Sequence, residues 1–278
     1  MKLSDIRKRL IADFKESGSS DPKLDASLIL EQVLQKNRTW LMIHEDEEID
    51  PDTQLLIFKL GQRRAAGEPL AYILESRDFW SLTLRCTPNT LIPQPDTEIL
   101  VEEALKVIPR SGARVLDLAT GTGAVALAVK KERPLADVTG SDCFARVVEL
   151  AAENARLNNL EVAFVLSFWY ENISGVFDVI TANPPYVAEN DPHLEQGDVR
   201  FEPRSALVAG DNGLADLQTV IRGAPHYLKD GGWLLVEHGW DQKSAVQEMF
   251  FCSEFCNIST VRDYGGNDRV TLGQFTKE

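Results

Sequence analysis

Along the first 75 residues the apolar positions recur at helical spacing. Leu3, Ile6, Leu10, Ile11 and Phe14 form one stripe, and Leu24, Leu28, Leu30, Val33 and Leu34 form a second. Residues three and four apart share a helix face, so each stripe predicts an amphipathic helix with one buried side. The acidic stretch HEDEEIDPDT interrupts the pattern as a solvated loop, and Leu55, Leu56, Phe58 and Leu60 resume it. Together these helices predict a small bundle over residues 1–75. The next segment, DFWSLTLRCTPNTLIPQPDTE, is rich in aromatic, β-branched and proline residues. It predicts a β-hairpin and an extended linker over residues 76–98.

From residue 99 to 278 strand-like runs alternate with helical ones. Candidate strands are Arg114–Leu118, Asp137–Ser141, Val162–Leu166, Phe177–Thr181 and Trp233–Glu237. Helical patterns separate them, including Val125–Glu132, Ala145–Leu157, Leu214–Leu228 and Lys243–Phe250. Such alternation predicts an α/β fold, a parallel sheet covered by helices on both faces. Two more strands, near Cys256–Arg262 and Arg269–Phe275, are joined by the turn YGGND and should pair antiparallel.

Composition adds limits. Hydrophobic residues make up 44% and charged residues 26%, as in an ordinary globular chain. No apolar run approaches the roughly 20 residues that a membrane helix needs. The start, MKLSDIRKRLIADF, is charged throughout and lacks the apolar core of a signal peptide, so a cytoplasmic protein with reduced thiols is expected. Of Cys86, Cys143, Cys252 and Cys256, only the last two are spaced to share a helix face, and no histidine lies near them. A metal site would need two more ligands, so buried or half-buried structural thiols are expected and no metal. His193, His226 and His238 are scattered and suggest no catalytic pair. The net charge of −14 argues against a nucleic-acid substrate, because neutralised phosphates supply much of that affinity. It favours a protein or small-molecule partner.

The first concentration of chemistry is VLDLATGTGAVALAV. It places Asp117 at a strand end, then Ala119-Thr120-Gly121-Thr122-Gly123, then a helix. Glycines permit a tight turn and close approach of a ligand, and the helix start offers free N–H groups. Roughly 20 residues on, Asp142 closes the next strand, where a carboxylate can receive both hydroxyls of a ribose. NAD and S-adenosylmethionine fit these features equally well.

The second concentration is Asn183-Pro184-Pro185-Tyr186, directly after the apolar run FDVITA. The Asn183 side-chain oxygen can accept one hydrogen of a planar NH2 group and the Pro184 carbonyl the other, while Tyr186 can stack on the flat amide or ring. The prolines fix the backbone in advance, so the acceptors need little reorganisation. A carboxamide nitrogen is a poor nucleophile because its lone pair is delocalised. Acceptors placed off the amide plane concentrate that pair, and orientation toward a methyl donor does much of the rest.

Beyond these motifs the chain carries RRAAGEPLAYI at 63–73, DFWSL at 78–82, TLIPQPDTE at 90–98, DPHLEQGDVRFEP at 191–203, LLVEHGW at 234–240 and RDYGGNDRVTLG at 262–273. Nearly end to end, it resembles the PrmC/HemK family of release factor glutamine methyltransferases. The resemblance implies a Rossmann-like class I S-adenosylmethionine-dependent methyltransferase sheet with a small N-terminal helical domain that helps to grip the release factor. It implies S-adenosylmethionine as donor and the glutamine of the release factors' Gly-Gly-Gln loop as acceptor, with no membrane and no direct nucleic-acid substrate. Carried over by position, Ala119, Thr120, Gly121, Thr122, Gly123, Asp142, Trp169 and Asn183 would touch the cofactor. Asn183, Pro184, Pro185 and Tyr186 would hold the amide, and Pro93 to Glu98 would line the site. The sequence departs from the family pattern at Gln94, usually arginine, at Phe168, usually aspartate, at Ala119, usually glycine or another small residue, and at Glu75, often glycine. The Asn-Pro-Pro-Tyr segment alone is shared with N6-adenine and N4-cytosine methyltransferases. An enzyme acting on nucleic acid is therefore the alternative, and a weakened cofactor-binding scaffold is a third reading.

Overall fold

Aspartate followed by proline starts two of the N-terminal helices. Asp21 and Asp50 accept hydrogen bonds from the backbone N–H of Leu24 (3.0 Å) and Thr53 (2.9 Å). Pro22 and Pro51 fill the first helical position, where an N–H would have no partner. The computed structural model describes residues 1–277 and divides into two units. The first comprises Met1–Ser76 with Glu195–Phe201. Its helices are α1 (Leu3–Glu16), α2 (Pro22–Leu34), α3 (Arg38–Ile43), α4 (Pro51–Ala65) and α5 (Leu70–Ile73). The end of the expected acidic loop, from Pro51 on, is thus the first turn of α4.

The stripe Leu3, Ile6, Leu10 and Phe14 is buried, as are Ala26, Ile29 and Leu30 of α2. Leu24, Leu55 and Leu56 are exposed instead. On α4 the buried face runs through Ile57 and Gly61, because a Cβ on Gly61 would meet Leu10 Cδ2 at 2.5 Å. A side chain there would displace the end of Leu10, so glycine suits the close packing of α1 on α4. A buried ion pair, Arg64 Nε to Asp25 Oδ2 at 2.6 Å, ties α4 to α2.

The second unit begins with a hairpin, β1 (Ser76–Phe79) and β2 (Leu82–Arg85), its first residue counted with the helices. Then follow α6 (Thr97–Val107), β3 (Arg114–Leu118), α7 (Ala124–Glu132), β4 (Asp137–Asp142), α8 (Ala145–Leu157), β5 (Ala163–Leu166) and β6 (Phe177–Ala182). The chain continues through α9 (Gly210–Gly213), α10 (Ala215–Gly223), β7 (Leu228–Glu237), α11 (Lys243–Cys252), β8 (Phe255–Arg262) and β9 (Asp268–Phe275). The sheet has seven strands in the order β5-β4-β3-β6-β7-β9-β8. Strands β5 to β7 are parallel, and β9 runs antiparallel to both β7 and β8.

Successive side chains alternate between two apolar layers, as a sheet covered on both faces requires. Val115, Val179 and Leu235 join one core with α6 and α7, while Leu116, Ile180, Leu234 and Val236 join another with α10 and α11. The chain winds outward from β3 to β5, then returns to β6 on the other side of β3. That reversal opens a crevice at the carboxyl ends of β3 and β6, where ligands lodge in this architecture.

Several expectations need correction. The segment expected as linker ends earlier, since α6 starts at Thr97. The helix expected over Leu214–Leu228 stops at Gly223, with a single 3-10 turn over Ala224–His226 around Pro225. Strand β7 begins at Leu228, where Gly231 and Gly232 obscure the apolar alternation. Residues Glu195–Phe201, expected within the catalytic domain, group with the N-terminal helices. Cys252 closes α11 while Cys256 lies in β8, so they share no helix face. Cys143 and Cys252 are exposed, whereas burial pushes the Cys86 thiol up to about 12. No described helix is long and apolar enough to cross a membrane.

Candidate active site

The turn after β3 is built from left-handed residues: Ala119 has φ +52°, Gly121 +55° and Gly123 +84°. Two threonines and an asparagine hold it. The Thr120 hydroxyl donates to Asp117 Oδ2 at 2.6 Å, and its N–H donates to the Ser141 carbonyl at 2.9 Å. Asn154, fully buried on α8, donates from Nδ2 to the Thr122 carbonyl at 2.9 Å. The same side chain accepts the Arg85 N–H at 2.7 Å, which fixes the hairpin against the turn. Asp117 also accepts from the Thr181 hydroxyl at 2.8 Å, and burial raises its carboxyl to about 6 against those two hydroxyls. Sequence reasoning placed Asp117 at the strand end without a role. Its role is to tie the turn to β6.

Asp142, at the end of β4, accepts the Gly121 N–H on Oδ2 and the Phe144 N–H on Oδ1, each at 3.2 Å. Burial raises the pKa of its carboxyl and these N–H groups oppose that shift. A Cβ on Gly121 would meet nothing within 4 Å, so the turn faces open space beside the carboxylate. That space is a cavity lined by Ala119 to Thr122, Asp142, Phe144, Phe168 and Trp169, and also by Gln94, Thr97, Asn183 and Pro185. Phe144 and Phe168 are 49% and 57% exposed, so neither ring is packed into a core. Trp169 adopts φ +47°, held by the Ser167 hydroxyl donating to its carbonyl at 2.8 Å. A carboxylate, a cradle of N–H groups and aromatic walls suit a nucleoside: the acid takes the sugar hydroxyls and the rings take the base.

Asn183, in the same lining, follows β6 directly. Its Nδ2 donates to the Thr97 hydroxyl at 3.2 Å, which leaves Oδ1 as the acceptor. Pro185 lines the cavity, but Pro184 is buried outside the lining. Tyr186 departs from the expected stacking role. Its hydroxyl donates to Glu237 Oε1 at 3.0 Å, its carbonyl accepts from Gln242 Nε2 at 2.9 Å, and its ring packs against the core under α10. A Cβ on Gly213 would lie 2.2 Å from that carbonyl, so only glycine fits opposite Tyr186. Burial holds the phenol well above its ordinary range. Val187 then bridges to Val208, which brings Ser205 and Ala206 to the cavity.

Of Pro93 to Glu98, the residues Pro93, Gln94 and Thr97 line the cavity. Glu98 does not; it accepts the Trp80 N–H at 2.9 Å. Asp96 lies 3.6 Å from Arg269. Asn89, Thr90, Leu91, Cys143, Phe144 and Asp216 also line the cavity, from loops and a helix start that carry no motif of their own in the sequence. Two departures acquire a geometry: Glu75 (φ +54°) and Ala119 (φ +52°) both occupy the left-handed region that favours glycine. His238 is buried, with its ring nitrogens 2.8 Å from the Gly239 carbonyl and the Thr271 hydroxyl, and His193 sits at the surface beside Asp191.

Residues 5–74 match the family described as PrmC N-terminal domain, and residues 94–199 match the methyltransferase small domain. A release factor glutamine methyltransferase of Vibrio cholerae serotype O1 is 50% identical, covering 95% of this chain and 93% of the relative. The protein of the same description from Escherichia coli (strain K12) is 44% identical over 92% of this chain and 94% of its own. Among solved structures, a methyltransferase from Pyrococcus furiosus superposes with a TM-score of 0.56 at 18% identity, covering 78% of this chain and 98% of that one. That likeness concerns the fold.

Proposed function

The chain belongs to the release factor glutamine methyltransferase family, and from that premise we propose that it transfers a methyl group from S-adenosylmethionine to the side-chain amide nitrogen of the glutamine in the release factors' Gly-Gly-Gln loop. The observation that carries this reading is Asn183, whose Nδ2 is held by Thr97 so that Oδ1 is presented as an acceptor at the cavity. The donor supplies an electrophilic methyl group when bound. The protein's own task is to hold a weakly nucleophilic amide. Asn183 Oδ1 and the Pro184 carbonyl receive its two hydrogens, and the rigid Pro-Pro backbone keeps both acceptors in place. A strong general base is unnecessary, because the amide sheds its proton after methylation.

The residues fit the donor. Asp142 and the 119–123 turn would hold the ribose and the tail, and Trp169, Phe168 and Phe144 would border the adenine. Gln94 and Thr97 lie toward the glutamine. The net charge of −14 suits a partner with a basic surface and disfavours DNA or RNA as substrate. Release factors act in the cytoplasm, where this reading puts the enzyme. A labelled methyl-donor assay tests it on release factor, duplex DNA and tRNA. Label is expected in the release factor alone; label in DNA would make the adenine reading correct.

Two further outcomes follow. Asp142→Ala should weaken S-adenosylmethionine by roughly 1.5–3 kcal/mol, the strength of hydrogen bonds to a charged group, while NAD fails to bind either form. Calorimetry that finds unchanged donor affinity would remove Asp142 from the site. Phe168→Asp should leave the melting point nearly unchanged, because the ring is 57% exposed and supports little packing. The new carboxylate would accept the adenine amino group and tighten donor binding by up to about 1.5 kcal/mol after desolvation. Looser binding with a lower melting point would mean that the phenyl ring itself belongs to the pocket.

A further inference from the structure

Behind the candidate amide clamp lies a buried carboxyl group. Glu237 ends β7 and is almost fully buried. The register pairs Ala182 with Val236, which sets Glu237 beside Asn183. Its Oε1 accepts the Tyr186 hydroxyl at 3.0 Å. Burial raises the carboxyl, and the Thr97 hydroxyl is the largest influence opposing that rise, followed by the Arg269 guanidinium and Tyr186. Oε2 is buried and accepts no hydrogen bond, so it is open to a hydrogen from the neighbouring Thr97 hydroxyl. A buried carboxylate oxygen short of donors is costly, and native structures keep few such groups.

The direction of the hydrogen bonds gives that cost a purpose. A threonine hydroxyl has one hydrogen. If it is directed at Glu237, the Thr97 oxygen is left to accept, and what it accepts is the Asn183 Nδ2 hydrogen at 3.2 Å. Asn183 therefore turns its NH2 inward and its Oδ1 toward the cavity. The flipped amide would face a substrate NH2 group with donors against donors. We infer that Glu237 is a positioning residue that sets the orientation of the Asn183 amide through the Thr97 hydroxyl while its other contact anchors Tyr186. This deepens the proposed methyl transfer and rests on it.

In Glu237→Gln, the Tyr186 hydroxyl still has a carbonyl oxygen to bond, which leaves the new NH2 facing Thr97. The threonine hydrogen then has only Asn183 Oδ1 to meet, and the amide flips. Glu237→Gln should lower kcat about 10–100-fold while KM for release factor and Kd for S-adenosylmethionine move less than about 2-fold. Thr97→Val should reproduce that loss, Thr97→Ser should regain most of it, and Glu237→Gln/Thr97→Val should be no slower than the worse single variant. Independently of activity, the side-chain NH2 resonances of Asn183, assigned by their loss in Asn183→Asp, should shift in Glu237→Gln and in Thr97→Val. Turnover within about 2-fold of wild type in Glu237→Gln, losses that multiply in the double variant, or unmoved amide resonances would each overturn the inference. If Glu237→Gln does not fold, Thr97→Val and Thr97→Ser decide the matter alone. Wild-type protein that leaves release factor unmethylated would sink the functional reading, and the amide resonances would still decide the orientation of Asn183.

Discussion

Replacing Asn183 with alanine is expected to slow methyl transfer to release factor by roughly 10²–10³-fold, about 2.7–4 kcal/mol of barrier. The expected change in S-adenosylmethionine affinity is far smaller. The reason lies in which atom is lost. Thr97 holds Nδ2, so Oδ1 is the atom offered to the cavity. Alanine removes that acceptor and leaves the Pro184 carbonyl alone to hold a group with two hydrogens. An acceptor that strengthens as the amide nitrogen gives up its delocalisation acts in the transition state, so its loss appears in kcat. Single-turnover kinetics with donor and release factor saturating are the right measurement. Near-normal turnover in the variant would remove Asn183 from the chemistry.

The second large effect belongs to the N-terminal unit. Arg64→Ala should destabilise it by about 3–5 kcal/mol, because it strands a charge inside the bundle. Asp25 and Arg64 are each only 11% exposed at the side chain and meet at 2.6 Å. Ser19 also donates to Asp25, at 2.8 Å, but a hydroxyl does not neutralise a carboxylate. Arg64 further donates to the Glu68 carbonyl at 3.0 Å and to Asp198 at 3.1 Å, so its loss also removes a tie to Asp198. The double variant Asp25→Leu/Arg64→Met should recover much of the loss, since a buried pair replaced by apolar groups of similar volume is often neutral. Urea unfolding followed on the N-terminal unit distinguishes the cases. A loss below about 1 kcal/mol for Arg64→Ala would show the pair to be solvent-screened.

What the sequence reveals of this molecule depends on how local the cause is. The strands at 114–118 and 177–182 are legible because both their faces are buried, which leaves a short apolar run bounded by Gly and Pro. The turn at 119–123 and Asp142 are legible because consecutive residues and a strand end carry the chemistry. The helix at 97–107 is missed because Pro93 and Pro95 directly precede it and read as extended chain. Leu55 and Leu56 mislead for another reason: the buried face of α4 runs through Ile57 and Gly61, four residues apart, and leaves both leucines outside it. The 3-10 turns between 192 and 206 have no periodic signature at all. Least legible is the set behind the clamp. Thr97, Asn183 and Glu237 come from α6, the end of β6 and the end of β7, and only the sheet order brings them together. Glu237 in particular reads as one more acid after a strand.

The central claim is that the acceptor is a side-chain amide nitrogen of a protein. The most direct test incubates the protein with S-adenosylmethionine and unmethylated release factor, digests the product, and sequences the Gly-Gly-Gln peptide by mass spectrometry. The account predicts one added methyl group located on the glutamine side chain of that peptide, absent when Asn183 is alanine. A methyl group found on any other residue, or an unmodified peptide beside methylated adenine in a parallel DNA reaction, would contradict it.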